Sequence, residues 1–186
     1  GGIQILRRRT GRIQGNYIGV GCDGSTLFGN LKHGIEMRIA SGQEIGGTVP
    51  GAGNIIAGNS RDGVAVITSS SGIQIQGNAI FANQALGIDL ADDGVTANDL
   101  GDADSGQNLL QNYPVITNAQ SSAQSTFMSG TLNAASDGVF HVEFFSNSTS
   151  DPSGFGQGEN FLGSRSVVTD ADGNATFSAT FLDFVP

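Results

Sequence analysis

From residue 73 to residue 90 the chain reads IQIQGNAIFANQALGIDL, apolar and polar residues alternating in short runs that Gly and Asn interrupt. Alternation at period two predicts β-strand, and the interruptions predict strands far shorter than an ordinary sheet uses. The pattern recurs. Gly-apolar-x-apolar stands at Gly2-Ile3-Gln4-Ile5, Gly34-Ile35-Glu36-Met37, Gly63-Val64-Ala65-Val66 and Gly87-Ile88-Asp89-Leu90. Four residues before the last three glycines comes an asparagine: Asn30, Asn59 and Asn83. Apolar-x-Gly then follows at Ile13-Gln14-Gly15, Ile45-Gly46-Gly47 and Ile75-Gln76-Gly77, and after it Asn16, Asn54 and Asn78, each two residues before an isoleucine.

One spacing underlies these marks. Gly63 and Gly87 are 24 residues apart, while the two earlier intervals, 29 and 32, are lengthened by residues 48–53 (TVPGAG) and by the longer leg between Asn16 and Asn30. Three short strands per repeat, joined by Gly and Asn turns, describe one coil of a parallel β-helix, each coil pairing with the next about 4.8 Å away. Ile35, Val64 and Ile88 should then form one buried column. Asn30, Asn59 and Asn83 should stack at one corner, and Asn54 and Asn78 read as structural, since stacked amides bond along a ladder.

After residue 113 the pattern changes. Strand-like stretches follow at 115–119, 126–132, 139–145, 161–169 and 175–181, with Asp172-Gly173 as a tight-turn signal between the last two. Phe140, Val142 and Phe144 alternate with His141 and Glu143, the mark of a half-buried antiparallel strand. These stretches hold seven of the eleven phenylalanines, enough for a small sandwich core.

The phrases GNYIGVGCDGSTLFGN, IGGTVPGAGNIIAGN and GIDLADDGVTANDLGDADSGQNLLQNYPV resemble the right-handed parallel β-helix repeats of large bacterial secreted or surface proteins. Pectate lyases, polygalacturonases and tail-spike hydrolases share that superfold. The resemblance implies an all-β chain: a right-handed parallel β-helix of about four coils over residues 1–112, then a small antiparallel β-sandwich-like module over 113–186. In similar proteins that module continues past the equivalent of Val185-Pro186, so a strand is expected to be missing and an edge open.

Charge narrows the function. The net charge is −9, but residues 1–61 carry seven basic side chains against three acidic ones, and residues 62–186 carry only Arg165 against fourteen acids. That balance argues against nucleic acid, which needs a basic face; Arg7-Arg8-Arg9 reads as a solvated edge. No apolar run approaches the length of a membrane span. The single cysteine, Cys22, excludes an internal disulfide and reads as an inert thiol. The chain opens on Gly1-Gly2 without Met and reads as part of something longer. One lysine and abundant Asn, Ser, Thr and Asp lean towards an extracellular or cell-surface location.

The nucleophile elbow, phosphate loop and paired-histidine zinc motifs are absent from the sequence. His33 reads as a polar turn residue and His141 as a residue on the wet face of a strand. Two features carry candidate chemistry. The outward row between the stacked apolar positions, on the outer sheet face, is Gln4, Glu36, Ala65 and Asp89, in which Glu36 and Asp89 would be the catalytic pair of a carbohydrate enzyme, about 10 Å apart. The stretch after Asp89 concentrates Asp92, Asp93, Asp99, Asp102 and Asp104 with Asn108, which is either a solvated acidic loop or a calcium site built from those six side chains.

The function expected is a non-catalytic extracellular structural, adhesion or carbohydrate-contact segment of a larger bacterial surface protein. The alternative is a polysaccharide hydrolase or lyase fragment using Glu36 and Asp89. Polysaccharide is the expected partner, along with a second copy of the chain through strand edges exposed at residues 2–6.

Overall fold

The computed structural model describes residues 2–182. Gly1 and the Val185-Pro186 end of the expected open module lie outside the described residues. The chain is all-β. Ten short strands come first: β1 (Ile3–Leu6), β2 (Arg9–Ile13), β3 (Tyr17–Ile18), β4 (Ile35–Arg38), β5 (Ser41–Gly46), β6 (Ile55–Ala57), β7 (Val64–Ile67), β8 (Gln74–Gln76), β9 (Ala79–Phe81) and β10 (Ile88–Leu90). Each of the first seven pairs in parallel with the strand three places on, giving sheets ordered β1-β4-β7-β10, β2-β5-β8 and β3-β6-β9. Parallel sheets built this way are consistent with a β-helix-like fold.

The register follows the repeat. Ile3 pairs with Ile35, Ile35 with Val64 and Val64 with Ile88. Ile35, Met37, Val64 and Val66 are fully buried, in one cluster with Ile13, Ile18, Ile45, Ile56 and Ile80. Ile88 departs from the expected column: β10 is the last strand of its sheet, and Ile88 is 43% exposed.

Both asparagine ladders form. The Nδ2 of Asn30 donates to Oδ1 of Asn59 at 2.8 Å, and that of Asn59 to Oδ1 of Asn83 at 2.7 Å. The second ladder runs from Asn16 to Asn54 at 3.0 Å and from Asn54 to Asn78 at 2.8 Å. Each amide oxygen also takes the backbone N–H of the asparagine bonded to it, so buried polar groups at the corners are satisfied rather than stranded. Gln157, far along the chain, takes the next place on the first ladder, its Oε1 accepting from Asn83 Nδ2 at 3.0 Å.

The row Gln4, Glu36, Ala65 and Asp89 keeps its register but is not the open outer face the repeat suggests, because Glu36, Ala65 and Asp89 are all buried. Side chains of Gln4 and Arg38 lie on Glu36, and the loop after β10 folds onto Asp89.

The later strands are β11 (Val115–Ser121), β12 (Ser125–Asn133), β13 (Val139–Ser146), β14 (Asn160–Val168) and β15 (Asn174–Leu182). β11-β12-β15 is antiparallel and β13 pairs with β14. Met128, Phe177, Ala179 and Phe181 of one sheet share an apolar cluster with Val142, Phe144 and Val167 of the other. Phe144 meets Phe177 edge-on with ring centroids 5.6 Å apart, the arrangement the ring quadrupole favours. At the β14–β15 turn Asp170 accepts from the N–H groups of Asp172 and Asn174. Gly173 there takes φ +80, and a Cβ would run into the Ala134 carbonyl, so the turn requires glycine.

Residue contacts divide the chain into two compact units. One comprises Gly1–Thr96, Gly106–Asn108 and Phe145–Phe161; the other comprises Ala97–Ser105, Leu109–Phe144 and Leu162–Pro186. Among the described residues the one helical element is a 3-10 turn at Gln107–Leu110, and no helix is long and apolar enough to cross a membrane.

Candidate functional site

Glu36 stands on the buried row of β4 and accepts from Nε2 of Gln4 at 2.9 Å and from Nε of Arg38 at 3.0 Å. Burial alone would raise its pKa; the bonds from Gln4 and Arg38 and the Arg38 charge outweigh that and hold it below the ordinary glutamate range. Asp89 on β10 accepts from the N–H groups of Asp92 at 2.9 Å and Gly94 at 3.0 Å. Its pKa goes the other way. Burial raises it, the two N–H bonds pull against that, and the nearby Asp62 charge adds to the rise. Both carboxylates therefore hold the fold together locally, and Asp89 shapes a loop in which Ala91 and Asp92 have positive φ.

That loop carries Asp92 to a second group of side chains. His33 is buried, and its Nδ1 stands 2.9 Å from Oδ2 of Asp62, also buried. Its Nε2 stands 3.6 Å from Oδ2 of Asp92. Arg61 reaches Asp92 at 3.2 Å and stands 3.5 Å from His33 Nε2. Asp62 uses its other oxygen, Oδ1, to accept from the Leu86 N–H at 2.9 Å. An open cleft of about 620 Å³ lies beside Arg61, Asp62, Asp89, Asp92, Asp93 and Gly94. His33 keeps its place at the turn before Gly34 but is buried there: the repeat stacks the residues before the corner glycines, and Asp62 occupies that place one repeat on. His33, Asp62 and Arg61 were not singled out as a group by sequence reasoning. Their signal was present in the adjacent pairs His33-Gly34 and Asp62-Gly63.

The acidic stretch supplies a separate group. Asp99, Asp102 and Asp104 each bring a carboxylate oxygen within 4.8 Å of the others, an arrangement that can hold a metal ion. Burial raises the Asp104 pKa, and the charges of Asp99 and Asp102 add to it. Asp99 accepts from the N–H groups of Ala103 and Asp104, Asp102 accepts from that of Asn112, and Oδ1 of Asp104 is enclosed without a hydrogen bond. Asn108 is committed elsewhere. Its Oδ1 accepts from the Ile73 N–H at 2.8 Å and its Nδ2 donates to the Ile73 carbonyl at 3.0 Å, a side chain acting as a strand partner. Asp92 belongs with His33 and Asp62, and Asp93 lines the cleft beside them. Cys22 is exposed, and His141 is exposed on β13 as a wet-face residue, 3.5 Å from Glu143.

Compared with known proteins, the chain matches no family model and no curated sequence.

Proposed function

We propose that this chain is a non-catalytic structural and adhesion segment of a larger bacterial extracellular or cell-surface protein. A right-handed parallel β-helix of about four coils (residues 1–112) carries a small β-sandwich-like module (113–186) in this reading. The observation that carries it is the commitment of Glu36 and Asp89, the two carboxylates best placed for catalysis, to hydrogen bonds that hold their own strands and loop. A general acid or base must reach a substrate proton at hydrogen-bond distance, and both groups are buried behind the side chains and loop they bind.

The contact surface is β3 and the loop between β3 and β4. Val20 bridges to Leu27 across it, and Tyr17, Leu27, Phe28 and Leu31 are all exposed. Aromatic faces beside polar turns suit the apolar faces of sugar rings. Affinity electrophoresis through alginate, polygalacturonate and neutral glucan gels tests this. The chain should be retarded in at least one gel, and Tyr17→Ala with Phe28→Ala should restore free migration. Unretarded migration in every gel would remove the carbohydrate-contact role.

Calcium is the ion proposed for Asp99, Asp102 and Asp104, which offer only hard oxygens on a loop able to adapt its geometry. An ion bound only by the folded chain stabilises by RT ln(1 + [L]/Kd), about 2.7 kcal/mol at a hundredfold excess over Kd. Melting in millimolar calcium should therefore run several degrees above melting in chelator, and Asp102→Asn with Asp104→Asn should abolish the difference. Superimposed curves for the unsubstituted chain would leave a solvated acidic loop.

A second reading, a polysaccharide hydrolase or lyase fragment acting through Glu36 and Asp89, is favoured by their opposite pKa displacements. Two strand steps separate them, about 10 Å, against the ~6.5–9.5 Å of an inverting pair.

A further inference from the structure

We propose that His33, Asp62 and Asp92 form a binding site for a divalent transition metal of the zinc class, distinct from the calcium group at Asp99, Asp102 and Asp104. One ligand atom from each of the three lies within 4.8 Å of the other two. Ligands on a tetrahedral zinc-sized ion, at bonds of about 2.1 Å, stand about 3.4 Å apart, so the side chains need to close by at most about 1.4 Å.

The independent observation is the state of His33. Its side chain is 3% exposed, it points both ring nitrogens at carboxylates, and Nδ1 has no hydrogen bond although Oδ2 of Asp62 is 2.9 Å away. The contact is close but off the line of an N–H bond. A buried polar atom without a hydrogen bond is costly, and a cation seated beside the nitrogen and the carboxylate, ligated by both, relieves it. Charge agrees. Asp62, Asp89 and Asp92 converge here against one guanidinium, Arg61, whose side chain is half-exposed. The ring nitrogen decides the ion's class: imidazole with two carboxylates suits zinc, cobalt or nickel, whereas calcium takes six to eight oxygens. Three protein ligands leave a coordination position for water, and Asp62 and Asp92 both line the open cleft.

The rival reading is a purely structural contact between His33 and its carboxylates, and a metal titration separates the two. Cobalt(II) is added to chelator-stripped, then dialysed, full chain, with visible absorption and equilibrium dialysis as readouts. One equivalent should bind with an absorption spectrum distinct from that of aqueous cobalt and be displaced by stoichiometric zinc. Millimolar calcium should not displace it, and Asp102→Asn with Asp104→Asn should leave it unchanged. His33→Gln should abolish it. Asp92→Asn, at a partly exposed position that leaves the core intact, should weaken it by more than the roughly 10–100-fold that loss of an outer-shell partner costs. No bound equivalent in the unsubstituted chain, or undiminished binding in Asp92→Asn, would overturn the proposal and leave His33 as a structural contact of Asp62.

Discussion

Val64→Asp is expected to unfold the unit built on the parallel sheets. Val64 lies in β7, with β4 on one side and β10 on the other, and is fully enclosed by the cluster that includes Ile35, Ile56 and Ile80. A carboxylate there has no cation to meet. An uncompensated buried charge costs about 3–5 kcal/mol, and the lost apolar burial adds to it, against a total stability of roughly 5–15 kcal/mol. Ile88→Asp changes the same column at its exposed end and should cost far less. Chemical denaturation of both variants measures the contrast. Equal losses would mean that the column is not continuous.

Asn59→Ala should be the next most damaging change. Oδ1 of Asn59 accepts from both the backbone N–H and the side-chain amide of Asn30, and its Nδ2 donates to Asn83, all at a position with no solvent access. Truncation strands buried donors and an acceptor, each worth about 1–3 kcal/mol, so a loss on the order of 3 kcal/mol is expected in the denaturation midpoint. Asn16→Ala should cost less, because Asn16 ends its ladder and is only partly buried. A midpoint unchanged by Asn59→Ala would show that the ladder contributes nothing to stability.

The pairing of strands was legible because it repeats: glycine and asparagine marks at fixed intervals place Ile35 against Val64 without knowledge of anything distant in sequence. The five later strands were legible for a local reason, period-two alternation bounded by turns such as Asp172-Gly173. What the sequence hid depends on chain returning from afar. Gln157 completes a ladder begun at Asn30, and nothing near residue 157 marks it as a rung. Asn108 read as a metal ligand because it follows a run of aspartates, yet its amide serves Ile73. The burial of Glu36 and Asp89 was hidden too, since alternation names the face a side chain takes but not what later covers that face. His33 stacks near Asp62 by the repeat, but Asp92 joins them only because the loop after β10 folds back onto the Asp89 carboxylate.

Product release from polysaccharide tests the non-catalytic account most directly. The full chain, incubated with polygalacturonate, alginate and neutral glucans, is assayed for new reducing ends and for the absorbance of unsaturated products. Glu36 and Asp89 are predicted to leave every polymer intact, so the unsubstituted chain, Glu36→Gln and Asp89→Asn should give the same blank. Turnover by the unsubstituted chain that vanishes in either variant would contradict the account and make these two carboxylates an acid–base pair.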